Sequence, residues 1–227
     1  MEDLMRSCVK LYRELFPMAP AFRDVSTPCW PEDHSDAESA KVVDEGGDVT
    51  ALGGDVTADE TYVEVADSET EPKQFHTEAA RVIKKIMHGA RMARPDLLRP
   101  IAFLARFLTK WNEDMDKRLQ RLMSYIHHSY SYRMYAYMGD EQPTFSLDIY
   151  SDSDYAGCTQ TQRSTTGSIL FLRGKGDTFV PISFLSKRQG SVSRSTPEAE
   201  IVAMDMTIRI LTLPVLCLVE EIFPQSL

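Results

Sequence analysis

Cysteine is scarce in this chain: its 227 residues hold four, at Cys8, Cys29, Cys158 and Cys217. They stand far apart, with no C-x-x-C pair and no His/Cys ligand spacing. That argues against a disulfide scaffold or a zinc site, and for reduced thiols in an intracellular protein, cytoplasmic or nuclear. Long apolar runs are missing too. Nothing in the string reaches the roughly 18 consecutive apolar residues of a membrane helix, so no membrane partner is expected. The first ten residues lack the basic start and apolar core of a secretory signal, and secretion is not expected. At 43% hydrophobic and 26% charged residues, the chain reads as globular and long enough for one or two domains.

The net charge of -9 hides an asymmetry. Residues 31–72 carry 14 acidic side chains against the single Lys41, whereas residues 73–140 carry 13 basic against six acidic. An acidic tether precedes a basic body. The tether is rich in Asp, Glu, Gly, Ser and Thr and repeats G-G-D-V-T-A at Gly46–Ala51 and Gly53–Ala58. So little apolar area cannot offset the entropy of ordering, and disorder is expected. The spacing of Asp44, Asp48, Asp55 and Asp59 fits no calcium-binding loop.

Residues 1–30 hold one apolar-periodic stretch, Leu4 to Phe16, ended by Pro17. Helices are expected again from residue 73. Phe75, Ala79, Val82, Ile83, Ile86 and Met87 share one face, with Gly89 as a possible terminator. A second helix is expected from Pro100, and a third from an Asn112 cap with the face Met115, Leu119, Leu122, Met123 and Ile126. The tyrosines from Tyr125 to Tyr137 suit either packing beneath a sheet or stacking on nucleic acid.

From residue 145 the period changes. Phe145, Leu147 and Ile149 alternate with Ser146, Asp148 and Tyr150, a strand signal. Two more β-rich runs, Ser168–Leu172 and Phe179–Leu185, flank the turn Arg173–Asp177. A helix then starts near Ser195-Thr196-Pro197-Glu198 and runs towards Pro214. Either Thr196 caps it, or Ser195 and Glu198 form a capping box. The β-β-β-α order predicts an α/β arrangement with a three-stranded antiparallel sheet and a helix on one face.

The chemistry-bearing residues cluster in this last part. Tyr150–Gly157, Y-S-D-S-D-Y-A-G, puts Asp152 and Asp154 at a strand end, and Glu198 and Glu200 sit in the first turn of the following helix. Carboxylates converging from a strand end and a helix are what a magnesium ion requires, and two such ions can drive phosphodiester hydrolysis. The plainer reading makes the aspartates turn residues and the glutamates caps. From spacing alone both stand.

Four motifs in order add to this. They are Tyr150–Gly157, then Arg163-Ser164-Thr165-Thr166-Gly167, then Ser186-Lys187-Arg188-Gln189, then Ser195-Thr196-Pro197-Glu198-Ala199-Glu200. In that order they resemble the ribonuclease H domain of copia-type retrotransposon Pol polyproteins. Upstream, Ala93-Arg94-Pro95-Asp96 and the segment Lys117 to Tyr125 are similar to the piece joining reverse transcriptase to that domain. Tyr155 stands where the family usually has Trp, Pro197 where it has Thr, and Ile201 where it has Tyr.

The resemblance implies a partial ribonuclease H-like fold at 141–227. It would be preceded by a short N-terminal segment (1–30), the disordered acidic segment (31–72) and a helical connection (73–140). It implies Mg2+ as cofactor, with Asp152 and Glu200 as catalytic and metal-binding carboxylates, and Asp154 in a turn or supporting role. Arg163, Ser164, Thr165, Lys187, Arg188 and Gln189 become candidate nucleic-acid contacts, and Ser195, Thr196 and Glu198 capping residues. The implied partners are an RNA–DNA hybrid and the reverse transcriptase portion of the same polyprotein. No strand with the family's next aspartate follows the helix before Leu227, so hydrolysis by this chain alone is not expected. The competing readings are a non-catalytic nucleic-acid-binding module and a decayed gene product.

Overall fold

The computed structural model describes residues 1–30, 73–140, 145–158 and 161–222, with side chains in the first turn of the second helix from residue 77 on. The acidic segment, its repeat and the Phe75 side chain lie outside what is described.

Helix α1 (Glu2–Leu15) buries Met5, Cys8 and Tyr12, spaced three and four apart on one face. It stops where Pro17 cannot continue it. Helix α2 (Lys73–Ala93) buries Ala79, Val82, Ile83, Ile86 and Ala90 against it. Gly89 does not end this helix. A Cβ there would come within 2.2 Å of the Met5 side chain, so the glycine lets α1 approach α2 closely. A 3-10 turn, Pro95–Leu97, leads into α3 (Leu98–Arg106). That helix starts two residues earlier than Pro100 suggests, because the preceding turn already supplies helical geometry.

Asn112 caps α4 (Glu113–Ser129), its side chain accepting the Met115 N–H at 3.0 Å. The expected face of α4, Met115 to Ile126, is buried throughout. The four helices enclose one apolar core to which each contributes. Each fully buried Leu or Ile in it is worth about 1.5–3 kcal/mol.

Strands β1 (Phe145–Ser153), β2 (Thr165–Gly174) and β3 (Phe179–Arg188) form an antiparallel sheet in that order, with a bulge in the β2–β3 pairing at Leu170/Phe171. Asp140 fastens the β2–β3 turn, accepting N–H groups from Gly176 (2.6 Å) and Thr178 (3.1 Å). One face of the sheet carries Phe145, Leu147, Leu172 and Val180, packed under Val215 and Val219. The covering helix begins as α5 (Thr196–Thr207), opens into a π turn at Ile208–Thr212, and continues as α6 (Leu213–Ile222). Ala199, Ala203 and Thr207 are its buried contacts with the sheet.

Two expectations are corrected here. The helix does not end near Pro214. The π turn just before it widens the helix where the proline ring would otherwise meet the carbonyl one turn back, so the chain carries on. The run 196–222 is also long and apolar enough, by length and composition, to cross a membrane. Between Ile201 and Val219 only Asp205 and Arg209 are charged, and interspersed Thr and Pro concealed the run from a search for consecutive apolar residues.

Candidate carboxylate and nucleic-acid site

The local structure explains each motif. Ser195 is the N-cap of α5: its hydroxyl accepts the Glu198 N–H at 3.4 Å, and the Glu198 carboxylate reaches back to the Arg194 N–H at 2.8 Å. The Ser195–Glu198 box is therefore the one formed, and Thr196 is the first helical residue instead of the cap. Asp154 closes the turn after β1. Its carboxylate accepts the Thr165 N–H, and its Oδ2 lies 3.3 Å from the Arg99 guanidinium of α3. Gly157 is needed beside it, since a Cβ there would fall 2.5 Å from Asp154 Oδ2. Ala156 takes a left-handed conformation (φ 52°) in the same turn, and its N–H donates to Ser164 Oγ at 3.0 Å.

Asp152 lies on β1 and Glu200 on α5. Ser151 Oγ reaches Met204 of α5 at 3.7 Å, Ser168 opposite it bonds Thr207, and Ser153 joins a network that includes the Ala199 carbonyl. Ser151 and Ser153 thus face the helix. Strand alternation sends Asp152, between them, to the other face. There it is exposed, opposite Gly167, which has open space where a Cβ would be. Glu200 is half-buried on its helix. Among the described residues no three His, Cys, Asp or Glu side chains are grouped to hold a metal ion.

The candidate nucleic-acid residues divide in two. Ser164 and Gln189 are buried. Gln189 Nε2 donates to Ser153 Oγ (3.3 Å), Thr166 Oγ1 (3.2 Å) and the Ala199 carbonyl (2.9 Å), while Oε1 accepts from Ser193. Its backbone N–H donates to the Ser164 carbonyl at 2.8 Å. Both side chains are spent inside the protein, pinning β1, β2, β3 and α5 to one another. Arg163, Thr165, Lys187 and Arg188 remain partly exposed at the same end of the sheet, with Thr165 opposite Arg188 in the register.

Two features escaped sequence reasoning. One is the Gln189 hub, since a glutamine after two cations reads as surface. The other is Cys158. Burial pushes its thiol up, but the neighbouring Thr161 and the Arg106 guanidinium (Nη2 to Sγ 3.6 Å) outweigh this and bring it down to about 7. A cavity of about 240 Å³ between Arg94, Asp96, Tyr132 and Arg133 lies away from the carboxylates.

No family model and no solved structure matches the chain. Among curated proteins it is similar to the retrovirus-related Pol polyprotein from transposon RE2 of Arabidopsis thaliana, 32% identical over 124 residues, which is 55% of this chain and 8% of that polyprotein. An uncharacterized mitochondrial protein of the same plant is 37% identical over 94 residues, 41% of this chain and 36% of the relative. Secreted RxLR effector protein 161 of Plasmopara viticola is 30% identical over 119 residues, 52% of this chain and 78% of the relative. The chain thus spans well under a tenth of the transposon polyprotein. The similarity to transposon Pol polyproteins over about half of the chain is consistent with a copia-type Pol fragment.

Proposed function

We propose that residues 145–222 are part of a ribonuclease H-type domain of a Pol polyprotein, and that in this chain they hold an RNA–DNA hybrid without cutting it. The observation that carries the second half is that, among the described residues, no three His, Cys, Asp or Glu side chains are grouped to hold a metal ion. Hydrolysis needs carboxylates around one metal position; binding needs only cations near phosphates. Arg163, Lys187 and Arg188 supply those at one end of the sheet. The Gln189 network holds that end rigid by tying three strands to α5. The helical unit at 73–140 would abut the reverse transcriptase portion of the same polyprotein, inside the cell.

The test is incubation of the purified chain with a labelled hybrid, with and without magnesium. Salt-sensitive binding that is indifferent to magnesium, without cleavage, is expected. Magnesium-dependent cleavage that disappears in Asp152→Asn would overturn the reading. In the binding arm, neutralising Arg163, Lys187 and Arg188 together reduces the slope of log affinity against log salt by about 0.9 for each phosphate that the protein ceases to neutralise.

A further inference from the structure

We infer that the outer face of α2 is a second nucleic-acid contact, a track for the phosphate backbone separate from the end of the sheet. Arg81, Lys84, His88 and Arg91 are all exposed, at spacings of three, four and three residues. At 100° per residue they fall within one arc of the helix, opposite the buried Val82, Ile83, Ile86 and Ala90. At 1.5 Å per residue the three fixed cations extend over about 15 Å, a length that meets several phosphates of one strand.

What separates this stripe from an ordinary solvated face is the want of acids. Several long cations elsewhere have carboxylate partners: Arg6 with Glu2, Arg94 with Asp96, Arg118 with Asp114, Arg173 with Asp148, Arg209 with Asp205. Among the described residues none pairs with Arg81, Lys84 or Arg91, and Glu78 is the sole acid in α2. Lys85, at the margin, donates to the Ser7 carbonyl at 3.3 Å and so ties this side of α2 to α1. Unpaired cations aligned on a rigid helix repel one another at the cost of stability, and a polyanion relieves that repulsion. The stripe carries no Phe, Tyr or Trp, which points to backbone contact that does not read sequence.

The inference rests on nucleic acid as the partner but not on the sheet end as the binding surface. The experiment measures anisotropy of a labelled RNA–DNA hybrid and a labelled single strand with the full chain, across a salt series. The variants are R81Q/K84Q/R91Q, R163Q/K187Q/R188Q, and the two sets combined. Circular dichroism and the thermal midpoint of the α2 variant should match the parent, because all three side chains are exposed. Its salt slope is expected to fall by about 2–3 on the hybrid and about 2 on the single strand. The same fall in the sheet-end background establishes that the track works independently. An unchanged slope in the α2 variant overturns the inference whatever the sheet-end variant does. Displacement of nucleic acid by polyglutamate at equal charge concentration would also overturn it, since the stripe would then be a generic anion sink.

Discussion

Arg94 grips Asp96 two residues away, with Nε 2.9 Å from Oδ1 and Nη2 2.7 Å from Oδ2, while Nη1 and Nη2 also donate to the Ser129 carbonyl and hydroxyl at 2.8 Å each. Only 2% of Arg94 is exposed. The Tyr125 hydroxyl donates to Asp96 at 3.0 Å, and burial together with that carboxylate pushes the phenol above its usual range. The A-R-P-D element thus locks the turn between α2 and α3 onto the end of α4. Arg94→Ala removes the donor from the buried Ser129 acceptors and the partner of the exposed Asp96 carboxylate, so it should cost about 1–3 kcal/mol in urea unfolding. A loss under about 1 kcal/mol would mean that water replaces the guanidinium at no cost.

Gln189 should behave as a structural residue. Gln189→Leu leaves the Ser153 and Thr166 hydroxyls and the Ala199 carbonyl without their shared donor. The expected cost is about 2–3 kcal/mol of stability. Hybrid affinity per folded molecule, measured well below the unfolding midpoint, should stay at the parent value. A stable variant with weakened binding would return Gln189 to the nucleic-acid surface.

The periodic parts of this fold were legible because burial writes itself into residue spacing. The faces of α1, α2 and α4, the Asn112 cap and all three strands follow from spacings of three, four and two. The sheet face on which Asp152 sits was legible as well. Asp152 is in phase with Ser146, Asp148 and Tyr150, not with the apolar Phe145, Leu147 and Ile149, so it belongs to the face away from the helix. What spacing does not carry is context beyond one element. Gly89 looked like a stop, yet it is a point of contact with Met5. Pro214 looked like a stop too, until the π turn before it absorbed the ring.

Cys158 should be the faster thiol of the two whose acidity is clearly perturbed. Burial pushes Cys8 up to about 11, whereas the donors around Cys158 bring it to about 7. The thiolate is the reactive form, so alkylation of Cys158 should rise with pH, reach half its plateau near pH 7, and flatten above. Cys8 should stay unmodified in the folded protein across that range. Arg106→Gln removes a donor to the thiolate and should move the midpoint upwards. Peptide mapping after a brief iodoacetamide pulse reads both outcomes, and a midpoint that Arg106→Gln leaves in place would remove the guanidinium from the explanation.

The helix from α5 to α6 should make the chain associate with itself. Ala199, Ala203 and Thr207 bury one side against the sheet, but Ile201 is 69% exposed and Leu218 56%, with Met204, Ile208, Ile210 and Leu213 also facing out. Contiguous apolar surface of this kind is uncommon on a monomer. Beside it β1 has a paired neighbour on one side only among the described strands, which leaves its other backbone edge open to a further strand. Exposed apolar area and free hydrogen-bonding groups both favour burial against another chain. Sedimentation velocity should therefore show association that grows with protein concentration and persists at high salt, since the driving force is apolar. Ile201→Glu with Leu218→Glu should restore the monomer without loss of helical signal, because both side chains point away from the sheet. A parent chain that stays monomeric throughout would show that the exposed ridge is solvated at no penalty.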